Sequence, residues 1–184
     1  MSGGVQNLLI SLGVMQLARK VPFDDPVTLN YVRVGYVTVQ LVILAAYYYT
    51  SVVIKKKNDQ TVLKYVEPAA PMSSDDPKLV TTTVRDYDLQ ETSKLLRASY
   101  MGLAMMAVMH FYFKFTQPLF VQSLMGLKSL YDAKEVAIHL LGKEATGDLQ
   151  RPFKVASMFG AASGPQTDAA AIAEAEKRIG KKDD

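Results

Sequence analysis

Polar side chains recur at helical spacing along one apolar run of the chain. At 100° per residue, Tyr36, Gln40, Tyr47 and Ser51 fall within about 60° of Arg33 on one helix face. Hydrocarbon does not solvate such groups, so they must contact one another, another protein or water. A cationic, hydrogen-bonding face of this kind is suited to binding an anion or to drawing a hydrophilic protein segment into a membrane.

A second apolar run carries a matching polar face. Ser99, His110, Lys114 and Gln117 also fall within about 60° of one another. Facing stripes predict a shallow, water-filled, cationic groove lined by Arg33, Tyr36, Gln40, Tyr47, Ser51, His110, Lys114 and Gln117. An alternative interpretation, in which these residues have only a structural role, stays open. In it, the side chains of Arg33 and Lys114 extend to the membrane interface, and the uncharged polar residues form interhelical hydrogen bonds.

The elements that must position these residues are apolar helices. Residues 31–54 contain a single charge and end at three lysines, which is typical of a membrane span. Residues 5–18 form a shorter apolar run, which is either a span or an interfacial helix. Residues 98–116 and 119–131 flank a proline and predict a helical hairpin with a short second limb.

The predicted fold is an all-α membrane protein with three to four inserted helices. Residues 1–54 form the N-terminal membrane helices, and residues 98–131 form the membrane hairpin. Eight lysines and arginines in residues 55–97 place that basic segment in the cytosol, with residues 132–184 as a cytosolic tail. Asp88, with Glu91 at the capping-box position, is predicted to cap the helix that enters the hairpin.

The composition excludes several classes of site. The 184 residues include no cysteine, which excludes thiolate metal sites, cysteine nucleophiles and disulfides. The two histidines lie far apart, and no G-x-S-x-G, H-E-x-x-H or P-loop motif occurs, so we expect no enzyme, cofactor or metal. A pI of 8.9 without clustered basic residues does not indicate specific DNA binding.

The last four residues suggest a cellular address. Lys181 and Lys182 form a dilysine near the C-terminus, a pattern that predicts retrieval to the endoplasmic reticulum from the cytosolic side. The alternative is an ordinary solvated charged tail.

A series of short motifs resembles one family over nearly the whole chain. The sequence resembles the fungal "inorganic phosphate transport protein" family of the endoplasmic reticulum membrane, which includes the third component of the SND (SRP-independent) targeting route. The motifs, in order, are residues 64–68 (KYVEP), 83–89 (TVRDYDL), 105–106 with His110, 118–120 (PLF), 139–143 (HLLGK), 145–149 (ATGDL) and 151–154 (RPFK).

The resemblance implies a multi-pass protein of the endoplasmic reticulum membrane. It implies a role in delivering or inserting newly made membrane proteins, with the Sec translocon and the ribosome as candidate partners, and no catalytic residues or cofactors. Together with the groove it favours an insertase-like function, whose layout resembles that of Oxa-type insertases. Two rivals stay open: a phosphate or anion carrier or transport accessory protein, and a translocon or ribosome adaptor.

Overall fold

The structure, a computed structural model, describes residues 3–68, 77–154 and 164–180. Its contacts divide the chain into two compact units. Unit 1 comprises residues 1–53 and 91–142, and unit 2 comprises residues 54–90 and 143–184. The membrane and cytosolic placement of the four sequence segments stays a prediction.

Unit 1 is built from helices. They are α1 (Gly3–Ala18), α2 (Pro26–Lys57) up to residue 53, α3 (Val84–Ala107) from residue 91 onward, α4 (Gln117–Asp132) and α5 (Lys134–His139), and a π-helical turn, Val108–Tyr112, follows α3. Among the described residues, α2 is the one helix long and apolar enough to cross a membrane, and α1 is a shorter apolar helix. The predicted long apolar helix is therefore present.

Both ends of α2 have sequence causes. Asp25 caps the start: its Oδ2 accepts hydrogen bonds from the Thr28 backbone N–H at 2.8 Å and the Thr28 hydroxyl at 2.7 Å. Pro26 occupies the first helical position, where its missing N–H is harmless. Lys55, Lys56 and Lys57 form the last turn, where cations interact favourably with the helix dipole.

Helices α2, α3 and α4 pack side by side in unit 1. Arg33 contacts His110 and Tyr48 contacts Tyr100, so α3 runs antiparallel to α2. A Cβ built on Gly126 of α4 would lie 2.9 Å from the Ile43 Cδ1 atom of α2. This glycine permits the close helix approach that small residues give in membrane proteins.

Unit 2 contains a small antiparallel sheet, which corrects the all-α prediction. Strand β1 (Val62–Glu67) pairs with β2 (Lys78–Thr83), and Val66 also exchanges two backbone hydrogen bonds with Gln166. Both strands are rich in β-branched residues, which favour extended backbone. Helix α6 (Ala169–Gly180) follows Gln166, and its Ala175 is buried.

The start of α3 also corrects the predicted cap. The helix begins at Val84, and the Thr83 hydroxyl accepts a hydrogen bond from the Asp86 backbone N–H at 3.1 Å. Asp88 therefore lies inside the helix and is buried. The predicted capping role of Asp88 is wrong because a threonine five residues earlier already caps the helix.

Candidate functional site

The predicted polar stripe of α2 divides into packed and open parts. Tyr36, Gln40 and Tyr47 are buried together with Ile43 and Thr50, at spacings of three and four residues. Tyr47 packs with Ile43 against the start of α5, while the Tyr36 hydroxyl donates to Gln122 Oε1 of α4 at 3.2 Å. These side chains thus contribute to contacts between helices in unit 1.

Ser51 and Arg33 lie at the margins of this packed face. The Ser51 hydroxyl donates to the Tyr47 carbonyl oxygen, one turn back in its own helix, at 3.1 Å. Arg33 is exposed, and its Nη1 donates to Asn30 Oδ1 at 3.3 Å. Arg33 is the one charged residue among the five α2 residues that were predicted to line the groove, and its exposed side chain is accessible to a ligand.

Arg33 also joins α2 to the end of α3. Its Nε atom donates to His110 Nε2 at 3.0 Å, and His110 is only 6% exposed. Because a guanidinium only donates, His110 Nε2 must accept, which places the imidazole proton on Nδ1. That proton is donated to the Phe115 carbonyl oxygen, 3.1 Å away. The geometry therefore defines a neutral imidazole that holds the arginine and the following turn together.

The turn after His110 positions Lys114 away from the helix faces. The π-helical segment Val108–Tyr112 leads into Phe113, and Lys114 has a φ of 61°, in the left-handed region. Its exposed side chain lies at a turn, beside residues 21–24 of the α1–α2 connection, and lines a cavity of about 430 Å³ there. Gln117 lines the same cavity and begins α4. Lys114 and Gln117 thus share the end of unit 1 where α2 begins.

Two apolar cavities flank Tyr36 within unit 1. One, of about 230 Å³, is lined by Arg33 and His110 together with Val37, Leu103 and Met106 among others. The other, of about 300 Å³, lies between α2 and α4 and is lined by Tyr31, Val32, Phe120 and Leu124 among others. Arg33, which lines the first cavity, is exposed, and the water-filled polar groove stays a prediction.

Exposed aromatic side chains gather at two levels of unit 1. Near the start of α2 lie Tyr31, Tyr112, Phe113 and Phe115, and toward its end lie Tyr48, Tyr49, Tyr100 and Tyr131. Seventeen residues of helix separate Tyr31 from Tyr48, a distance of about 26 Å. Between these levels, the exposed large hydrophobic side chains include Val34, Leu41, Met101, Phe111 and Leu127, and Arg33 is also exposed.

A buried ion pair in unit 2 was missed by the sequence prediction. Arg151 donates from Nε and Nη2 to the two carboxylate oxygens of Asp88, both at 2.6 Å. Beside it, the Tyr87 hydroxyl accepts from the Phe153 backbone N–H at 2.7 Å, and the two rings lie 5.5 Å apart. The sequence analysis recognised residues 83–89 and 151–154 as two separate motifs. The signal that could have located the ion pair was that its two residues lie one in each of these motifs.

The predicted retrieval lysines, Lys181 and Lys182, lie outside the described residues.

The sequence comparisons identify the family. The family described as "Phosphate transport (Pho88)" matches residues 1–182. The chain belongs to the Pho88 family. It is 46% identical over 179 residues to "SRP-independent targeting protein 3" of Saccharomyces cerevisiae, covering 96% of this chain and 95% of the yeast protein.

Two Schizosaccharomyces pombe proteins extend the Pho88 comparison. The "SRP-independent targeting protein 3 homolog" is 40% identical over 169 residues, covering 91% of this chain and 87% of its own length. An uncharacterized protein is also 40% identical, over 167 residues that cover 90% of this chain and 83% of its own. No solved structure matches the chain. The relatives with assigned names are named for targeting, not for catalysis.

Proposed function

We propose that this Pho88-family protein is a multi-pass protein of the endoplasmic reticulum membrane that assists SRP-independent targeting and insertion of membrane proteins. Six of the eight exposed aromatics at the two levels are tyrosines, which concentrate where hydrocarbon meets headgroups, and this supports the membrane placement. Their separation of about 26 Å is below the roughly 30 Å of a typical hydrocarbon core. The targeting role is supported by near full-length similarity to a protein named for it.

The short helices around α2 support local thinning of the bilayer. Helices α1 and α4 have 16 residues each, or about 24 Å of helix, whereas α2 has 32 residues. A bilayer thins around helices shorter than its hydrocarbon core. Thinning lowers the barrier for moving the hydrophilic end of a substrate protein across the membrane.

Arg33 is the side chain proposed to receive that hydrophilic end. Within the part of the chain that the structure describes, its hydrogen-bond partners are the neutral groups of His110 and Asn30, and it has no carboxylate partner. An acidic substrate terminus supplies the missing anion, while the substrate's apolar helix lies along the cavities beside Tyr36. Lys114 and Gln117 extend the polar path at the turn, and Gln40, Tyr47 and Ser51 support the helix contacts behind it. In this proposal the Sec translocon and the ribosome are the partners, and Lys181 and Lys182 retain the protein in the endoplasmic reticulum.

Insertion of defined substrates into proteoliposomes tests this function. Three substrates share one apolar helix and carry a short translocated end that is acidic, neutral or basic, and protease protection measures insertion. We expect Arg33→Leu to reduce insertion of the acidic substrate by about tenfold, the effect of 1.4 kcal/mol, and to leave the neutral substrate nearly unchanged. Arg33→Lys should retain most of the activity because it retains the charge.

The matched control is Arg97→Leu, which removes another exposed arginine of unit 1. An adaptor would insert all substrates equally with either arginine variant, and that result would refute the groove. Equal loss for acidic, neutral and basic substrates would indicate a folding defect and would also count against the proposal.

The phosphate in the family description supports a second candidate, a phosphate carrier that uses Arg33. The surroundings of Arg33 argue for an indirect phosphate role, because the adjacent cavity walls are largely apolar. We expect proteoliposomes containing only this protein to show no saturable uptake of labelled phosphate. Saturable uptake that Arg33→Leu abolishes would establish the carrier and refute the insertion mechanism.

A further inference from the structure

The combination of an unpaired cation and an apolar cavity identifies a ligand class at Arg33. The guanidinium has five N–H donors, and its described bonds to His110 and Asn30 use only two of its nitrogens. Both partners are neutral, so the positive charge is not compensated within the described residues. The remaining donors are available to an anion.

The depth of Arg33 in unit 1 determines which anion meets it. Arg33 lies one half-turn of helix beyond Tyr31, which is 75% exposed and belongs to the aromatic level at the start of α2. Arginine side chains at such a depth extend toward the phosphate layer. If α2 spans the membrane as proposed above, the anions present at this level are the phosphodiesters of phospholipids.

The adjacent cavity favours a lipid over a free anion. Its volume is about 230 Å³, and Val37, Leu103, Met106 and Leu119 form much of its wall. Apolar space of this kind gains free energy from burying methylene groups, which inorganic phosphate does not have. Among the described residues Arg33 has no carboxylate partner, so a lipid with a net negative charge compensates its charge and a zwitterionic lipid does not.

We propose that Arg33 binds the phosphodiester of an anionic phospholipid with an uncharged headgroup, and that part of one acyl chain occupies the cavity beside Tyr36. His110 holds the guanidinium at the cavity mouth through its Nε2 atom. The lipid belongs to the leaflet at the N-terminal end of α2. It occupies the site until a substrate helix displaces it, and in this respect the inference rests on the proposed insertion function.

The composition of the chain permits a direct test. The protein contains no tryptophan, so Phe111→Trp places a single fluorophore at the cavity wall. The full-length variant is reconstituted into phosphatidylcholine vesicles that contain a minor fraction of either phosphatidylglycerol or phosphatidylcholine with brominated acyl chains. Bromine quenches tryptophan fluorescence only at short range, so the ratio of the two quenching efficiencies measures lipid preference at the cavity.

We expect brominated phosphatidylglycerol to quench the tryptophan of the Phe111→Trp protein several times more effectively than brominated phosphatidylcholine. Adding Arg33→Gln should bring the ratio close to one, whereas Arg97→Gln should leave it unchanged. The control variant Leu41→Trp, at an exposed α2 position that lines neither cavity, should report no preference.

Four results would overturn the lipid assignment. Equal quenching by the two lipids in the Phe111→Trp protein, or a preference that survives Arg33→Gln, would refute the site and leave the insertion proposal standing. Loss of the preference on adding millimolar inorganic phosphate would assign the site to free phosphate. Absence of quenching by either lipid would refute the membrane placement of α2 and, with it, the proposed function.

Discussion

Replacing Arg151 by methionine removes the guanidinium that binds both carboxylate oxygens of Asp88. The Asp88 side chain is 1% exposed and the Arg151 side chain 14%, so water cannot replace the lost donors without rearrangement. Removing one partner of a buried ion pair destabilises a protein by about 3–5 kcal/mol. Asp88 has further interactions in the described structure, so we expect the lower end of that range, about 3 kcal/mol.

Two companion variants separate charge from geometry at this pair. Arg151→Lys keeps the charge but loses the two parallel donors, and we expect it to recover only part of the stability. The double variant Asp88→Leu/Arg151→Met removes both charges of the pair, and we expect it to be more stable than Arg151→Met alone. The coupling energy follows from the double-mutant cycle.

Hydrogen exchange of the β1 and β2 amides measures the effect within unit 2. A loss of about 3 kcal/mol should accelerate their exchange more than a hundredfold. Amides of α2 near Ile43, in unit 1, serve as the internal reference and should change little. Exchange that accelerates less than about fivefold, equivalent to roughly 1 kcal/mol, would refute the assignment of this pair as a main stabiliser of unit 2.

Three further predictions concern local geometry. Lys114→Gly should stabilise the protein by up to about 1 kcal/mol in thermal unfolding, because glycine relieves the left-handed φ; Lys114→Ala removes the same charge, and an equal gain there would exclude this explanation. Gly126→Leu should destabilise the protein by about 1–3 kcal/mol by overpacking against Ile43, whereas Gly126→Ala should have a small effect because the Ile43 tip can rotate; denaturant titration of both variants in detergent compares them. The Thr28 hydroxyl, followed by the Thr28 backbone N–H, lowers the pKa of Asp25 below its ordinary value of 3.8. The cap is therefore fully stabilising above pH 3.8 and is lost as the pH falls through the lower pKa that Asp25 has in the folded protein. Hydrogen exchange of the Thr28 amide should accelerate in acid in the wild type but not in Asp25→Asn. Identical pH profiles for the two proteins would contradict the cap.

Local sequence patterns predicted the helices well because their causes are local. The apolar run of α2 and its lysine stop are continuous in sequence, and the proline at residue 118 lies in the first turn of α4. The strands β1 and β2 were missed because each is only six residues long and their pairing joins residues 11 to 21 positions apart in the sequence. Asp88 was assigned to a cap for a similar reason, since its partner Arg151 lies 63 residues away.

Helical periodicity located the polar stripe but not its surroundings. The 100° arithmetic placed Tyr36, Gln40 and Tyr47 on one face, and the structure has these three buried together. Periodicity cannot tell whether a face meets water or a neighbouring helix, because both environments select the same spacing. The 100° arithmetic did not foresee the π-helical turn Val108–Tyr112 or the left-handed φ of Lys114 that follows it.

The interface between α2 and α4, called the seam below, is open at one end and closed at the other, and it would limit how far a substrate helix can enter between them. Near Tyr31 and Phe120 the seam holds the larger cavity, whereas at Ile43 it is closed by the approach of Gly126. From Thr28 to Ile43 the seam runs for about 22 Å of helix. Under the proposed function, a substrate helix that enters between α2 and α4 from the end near Tyr31 would stop at Ile43, whatever the length of that helix. The protein, and not the substrate, would then set the register at which the two engage.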